Sequence, residues 1–265
     1  MISASLYSVA VCAPGLIGWD AAQAVLRGDE LLMDHAMPPL KIEMLAANER
    51  RRLTPTIKLA LYTAQEALRA SALQGEDISA VFASSNGDLD VTDRICNALT
   101  EEERPVSPTQ FHNSVHNAPA GYWAIATGSQ EPSSSISAGN VSFSAGLLEA
   151  MSQVQEEQEM VMLVCYDSLP PFPLSEAEPI TTPFAVALLL GPQQEGLSKL
   201  TLQKTVHEQE ATTMACTPLE KMRLANPAAR SLPLLESLAQ KQSQRLLLPS
   251  VNGDCLPLDL DYVNQ

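Results

Sequence analysis

A few short segments hold residue types that do chemistry in other proteins. Residues 132–150 read as a short strand, a tight turn and a helix opened by small side chains. A helix start gathers free N–H groups and the positive end of the dipole, and an anionic nucleophile is stabilised there. The residue at the turn is Asn140. An amide is neither a nucleophile nor a base at neutral pH, so the frame stands without its reactive group. Ser142 and His116 are the types of a nucleophile–base pair. No Gly-x-Ser-x-Gly elbow surrounds Ser142, and no Asp is placed to orient the ring. His112 and His116 have the spacing of two metal ligands on one helix face, but no Glu lies between them and no third ligand is evident. A polar packing or interface role is the better reading, and no metal site is predicted. Ser84-Ser85-Asn86-Gly87-Asp88 lacks the Lys and the glycine spacing of a phosphate loop. It reads as a strand-to-helix turn.

The elements that must position these groups alternate. Residues 6–12 predict a strand closed by Ala13-Pro14-Gly15, and 19–26 a short helix stopped by Gly28. Residues 32–43, with their prolines and methionines, predict irregular chain. Thr54-Pro55 opens a long helix with proline at its first position. Ile57, Leu61, Ala64 and Leu68 then share one helical face. Residues 78–85 predict a buried strand, 90–99 a helix, and 113–127 a helix interrupted by Pro119. Residues 136–139, 142–155 and 160–165 predict strand, helix and strand. Residues 184–190 and 197–203 are strands around the turn at Gly191-Pro192. In the tail, 219–224 and 231–240 predict helices, and 245–248 and 256–260 short strands. This alternation predicts an α/β fold with both sheet faces covered.

Composition narrows the function. The chain has 265 residues, 45% of them hydrophobic, enough to bury a sizeable core. Against 31 Asp and Glu stand 16 Lys and Arg, a formal charge of −15. That argues against nucleic acid and against an anionic membrane surface as partners. The longest apolar runs, 161–166 and 184–190, are too short to span a bilayer, so no membrane insertion is predicted. The five cysteines are widely spaced and form no C-x-x-C pair, which predicts free thiols in a reducing cytosol. Residues 1–15 carry no basic region of a secretory signal, and the expected location is cytoplasmic.

The turn and its surroundings resemble the N-terminal half of β-ketoacyl synthases, members of the thiolase-fold family. Those enzymes carry Pro-Ser-x-Ser-(apolar)-x-x-Ala-Cys-x-Ser followed by a helix. Pro132, Ser133, Ser135, Ile136 and Ser142 match in register, Gly139 replaces the Ala, and Asn140 replaces the nucleophilic Cys. Upstream, Ser107-Pro108, then Val115-His116-Asn117-Ala118-Pro119-Ala120-Gly121, then Gly128, match the family's Ser-Pro, Asn-x-x-Ala-Gly and Gly segments. The likeness is continuous over about residues 78–190 and is lost near Gly191. It implies a thiolase-like layered α/β/α fold. Residues 1–195 would be the ketoacyl-synthase-like half, and 196–265 a shortened, rebuilt C-terminal part packed on the same domain.

The resemblance also bears on activity. The family needs a thiolate to carry the acyl chain and two histidines to promote decarboxylation. The His-Gly-Thr-Gly and Gly-His motifs that supply them are absent; the only histidines are His35, His112, His116 and His207. The implied protein is not an enzyme, has no catalytic residue and uses no cofactor. Its partner would be a catalytic β-ketoacyl-ACP synthase, bound as an obligate heterodimer. In this family the strand before the nucleophile pairs across the two-fold axis, so 133–139, with Ser135 and Ser137, would be an open edge. The short form looks like the chain length factors of bacterial aryl polyene clusters. Acyl carrier proteins are usually acidic, so the carrier would meet this chain only indirectly, through a more basic partner. Carried over from the family, Gly87, Gln110, Phe111, Ser114 and Val115 face the partner's acyl tunnel. For Phe111 two readings stand, tunnel wall or ordinary core. For Phe143 they are a plug in the vestigial pocket or a packing residue. Asn140 suits a cap at the helix start. The alternative function is a stand-alone acyl-thioester enzyme, a decarboxylase or hydrolase, with a degenerate site.

Overall fold

Strands rich in Val, Leu and Ala run through the middle of one mixed sheet. The computed structural model describes residues 1–33 and 35–264. In chain order the elements are β1 (Ile2–Ala13), β2 (Leu16–Ile17), α1 (Trp19–Arg27), α2 (Ala47–Arg50), α3 (Pro55–Ser71), β3 (Ser79–Ala83), α4 (Leu89–Thr100), α5 (Pro108–Asn113), α6 (Ala118–Thr127), β4 (Ser133–Ile136), α7 (Ser142–Glu157), β5 (Val161–Asp167), α8 (Leu174–Ala177), β6 (Phe184–Gly191), β7 (Lys199–Leu202), α9 (Thr217–Ala225), α10 (Leu232–Ala239), β8 (Gln244–Pro249) and β9 (Cys255–Asp261). The sheet order is β4-β3-β5-β6-β1-β7-β9-β8, with β2 a short hairpin partner of β1. β3 runs parallel to β4 and β5; the other pairs are antiparallel.

Side-chain alternation divides the core in two. Val161, Leu163 and Cys165 of β5 face one layer with Phe184, Val186 and Leu188 of β6; Met162, Val164 and Tyr166 face the other with Ala185 and Ala187. In β1 the parity changes. Ala4 and Leu6 share a layer with Val9 and Val11, because the register against β6 shifts between Leu6 and Ser8. A bulge adds one residue and keeps the apolar set on its own face. Helix α3, capped by Thr54 Oγ1 accepting from Ile57 N–H at 3.1 Å, covers one layer over β1, β5 and β6. Helix α7 covers the other over β1, β3 and β5. It lies close because a Cβ on Gly146 would come within 2.7 Å of Ala83 Cβ. Both faces are thus covered over the central strands, as expected. The outer strands β7, β9 and β8 depart from that expectation: their leucines face α9 and α10, while Arg245 and Asp259 form an ion pair on the other face.

One helix and one strand expectation are corrected. Residues 113–127 are not one interrupted helix: α5 ends at Asn113, and Pro119 sits in the first turn of α6. Proline is pre-organised for a helix start and costs three kcal/mol or more inside one, roughly, so it opens α6 instead of kinking it. The strand expected at 136–139 lies earlier, at Ser133–Ile136, and Gly139–Val141 form a 3-10 turn. No helix among the described residues is long and apolar enough to cross a membrane.

Candidate functional site

The ends of β3, β4 and β5 lie side by side, and the turns that leave them form the site. Ser137, just past β4, donates its hydroxyl to Ser85 O at 2.6 Å. Gly87 N–H donates to Ser84 Oγ at 2.9 Å. Gly87 has φ +65, and a Cβ there would stand 3.2 Å from His116 Cδ2, so glycine serves both the turn and the close approach of the ring. His116 Nε2 lies 3.2 Å from Ser84 O. Gly87, Ser137 and the connection from α5 to α6 are therefore brought together.

The turn at Asn140 is organised differently from the expectation. Asn140 is exposed and makes no hydrogen bond that caps α7. Ser142 closes the turn instead: its Oγ accepts from Ala138 N–H at 3.1 Å and donates to Gly139 O at 2.7 Å. A short hydroxyl inside the first helical turn reaches back to both groups, whereas Asn140 lies outside it. These bonds also occupy Ser142, and the His116 ring is directed at Ser84, so the two do not form a nucleophile–base pair. Phe143 points into the core and is fully buried, which favours the packing reading over a plug in an open pocket. His112 stands edge-on to Tyr122 with ring centroids 5.9 Å apart. Among the described residues no three His, Cys, Asp or Glu side chains are grouped to hold a metal.

The segment expected to face a tunnel is at the surface. Phe111 is 67% exposed and Val115 50%, so the core reading of Phe111 is withdrawn. Ser114 donates its hydroxyl to Phe111 O at 2.8 Å. Gln110 is half-buried and lines a cavity of about 200 Å3 with Arg52 and Asn113. The Ser135 hydroxyl is enclosed without a partner among the described residues.

Strand β4 ends the sheet. Pro132 O accepts from Ala80 N–H and Ile136 O from Ser84 N–H, so alternate carbonyls face β3. By that alternation the N–H and C=O of Ser133 and Ser135 point away from the sheet. The two helices that pack on β4 each carry an exposed apolar side chain, Ile125 on α6 and Leu148 on α7. Both helices pack on β4, and Gln153 of α7 donates to Ser134 Oγ at 3.3 Å. The opposite edge is covered in part. Leu247 of β8 accepts from Thr212 N–H and donates to Thr212 Oγ1, both at 2.9 Å.

Sequence reasoning missed Asp167, which closes β5 at 1% exposure. Its Oδ1 accepts from the Ser84 hydroxyl and the Ser85 N–H, each at 2.8 Å, and from the Ser85 hydroxyl at 3.0 Å. Asn226 ties the tail to the same place, donating to Asp167 O at 3.0 Å and Thr182 O at 2.8 Å. The available signals were a carboxylate ending an apolar run and the Asn226-Pro227 helix stop. Burial pushes the Asp167 carboxyl from 3.8 up to about 6, against the opposing pull of its serine donors. The folded state therefore holds the proton more tightly than the unfolded chain. Its contribution is complete below about pH 4 and is lost as pH rises through about 6, roughly 3 kcal/mol in all. In urea titrations Asp167→Asn is expected to gain about that much relative to the parent between pH 4 and 7. Parallel stability profiles for the two proteins would rule this out.

Comparison with known proteins agrees with this geometry. A search of curated proteins gives no match. A chain of the ketosynthase ApeO in complex with its chain length factor ApeC, from Xenorhabdus doucetiae, is 25% identical, over 98% of this chain and 100% of the other, with a TM-score of 0.73. The ishigamide ketosynthase/chain length factor gives 13% identity and a TM-score of 0.75 over 100% of both chains. The AntDE:AntF complex, a type II PKS acyl-carrier protein with its ketosynthase bound to the hexaketide, gives 12% and 0.74 over 99% of both. The last two speak to the fold alone, which is thiolase-like. The profile of the β-ketoacyl synthase N-terminal domain matches residues 19–250, and this chain belongs to that family.

Proposed function

We propose that this chain is a non-catalytic chain length factor. It forms an obligate heterodimer with a catalytic β-ketoacyl-ACP synthase and shapes the acyl tunnel during elongation of a polyene of the aryl polyene type. The observation that carries the reading is the open β4 edge, with exposed Ile125 and Leu148 on the two helices that pack on that strand. Unpaired strand edges recruit another strand, and apolar side chains beside them supply the area. An obligate interface of this kind buries about 2,000 Å2 or more. The identity with a chain of a ketosynthase–chain length factor complex supports the same pairing.

Several features favour a silent site. Asn140 is an amide, and Ser142 is engaged by backbone. The histidines do not converge on the turn as a pair: His207 lies 2.8 Å from Asp254 in the tail, and His112 stands against Tyr122. Catalysis belongs to the partner, as does carrier docking, since a chain of charge −15 repels an acidic carrier. The complex works in the cytoplasm and needs no cofactor.

The test is co-expression with the partner synthase and light scattering of the purified product. A one-to-one complex that elongates, beside a chain that condenses nothing alone, is the expected result. Condensation by the isolated chain overturns the proposal. Phe111 lies on the exposed face of α5, where bulk would stop a growing acyl chain. In the complex, Phe111→Ala is expected to lengthen the products by mass spectrometry, because overfilling a tunnel costs roughly 1–3 kcal/mol. Unchanged product length removes Phe111 from the wall.

A further inference from the structure

A cavity of about 620 Å3 opens between the start of α3, residues 37–40, helix α4 and the chain leaving β5. That size lies within the range of small-molecule sites. Six of its lining residues are prolines, joined by Leu40, Leu59 and Leu169. Proline walls are stiff and lose little freedom when a ligand is bound. The charged lining groups are Asp90, Arg94 and Lys58. Asp90 is matched by Arg94 at 2.9 Å. Lys58, half-buried in the first turns of α3, adds a second cation. Thr56 and Ser168, bonded to each other at 2.6 Å, place hydroxyls on the same wall.

The balance of groups selects a ligand class. The cavity carries surplus positive charge in a chain whose formal charge is −15. A small inorganic anion would leave the proline and leucine walls wet, and an apolar molecule would leave Lys58 unanswered. A cation would meet the surplus charge of Lys58, since Asp90 is already held by Arg94. We propose that this cavity binds a single-tailed carboxylate, with its tail on the apolar walls and its head at Lys58. Neither Gly87, Phe111 nor Val115 lines the cavity, nor does any residue of β4. It shares Pro55, Asp90 and Arg94 with the smaller cavity that Gln110 lines, and its proposed ligand goes beyond the heterodimer reading.

Isothermal titration of the full chain, with its partner where the two co-purify, tests the site with dodecanoate and dodecyltrimethylammonium. Dodecanoate is expected to bind at one saturable site, about tenfold or more tighter than the ammonium. Lys58→Glu and Leu169→Asp are each expected to weaken dodecanoate about tenfold or more. Leu169 is 52% exposed, so its replacement leaves the core untouched. No saturable binding, equal binding of the two head groups, or binding unaffected by either substitution overturns the proposal. Binding by the free chain that vanishes in the complex assigns the cavity to a segment of the partner, and overturns it as well.

Discussion

Replacing Ser135 with proline is expected to separate this chain from its ketosynthase while leaving its own fold in place. Within β4 the carbonyls of Pro132 and Ile136 accept from β3, and Ser135 presents its N–H and C=O to the outside. Proline removes that outward donor and sets its ring against any incoming strand, yet edge strands tolerate it because no internal ladder bond is lost. A donor or acceptor left unpaired in a desolvated interface costs about 1–3 kcal/mol, and the ring clash adds to that. Affinity should fall by about a hundredfold or more, enough to abolish co-purification. Far-UV circular dichroism of the variant should match the parent. Retained co-purification would mean that the partner does not use this edge, and the proposed function would lose its main support.

The second large effect is expected at Phe143. It is fully buried in the layer beneath α7, and Phe143→Ala should destabilise the chain by about 3–5 kcal/mol. Three residues earlier the outcome is opposite. Asn140 is exposed, and Asn140→Ala should fall within about 0.5 kcal/mol of the parent. Thermal or urea unfolding of both variants measures the contrast. Similar small effects for both would mean that Phe143 borders empty space, and would reopen the vestigial pocket.

Strands β5 and β6 were legible in the sequence because each is a nearly unbroken apolar run, and α3 because its apolar residues recur at helical spacing. Local pattern also located the turn at Asn140. It did not reveal which side chain holds that turn, since Ser142 and Asn140 are both good capping residues and only their placement chooses between them. Nor did it find Asp167. The partners of that carboxylate lie in the turn that follows β3, more than eighty residues earlier, and no periodicity within β5 announces them. The tail strands were legible one by one. That they extend the same sheet, covered on one face, depends on pairing between β7 and β1, a contact across the whole chain. The exposure of Phe111 was hidden for a related reason: an aromatic beside Ser107-Pro108 reads alike whether its face meets the core or another protein.

The unequal treatment of the two sheet edges has a consequence for the cell. One border is covered in part by Thr212, and the other is left raw at Ser133 and Ser135. On the proposed reading, a copy that finds its synthase hides the raw border. A surplus copy keeps it bare and remains open to clumping and to degradation. The abundance of this chain then follows that of its synthase without any separate control over its manufacture, and the idle surplus is what the cell clears.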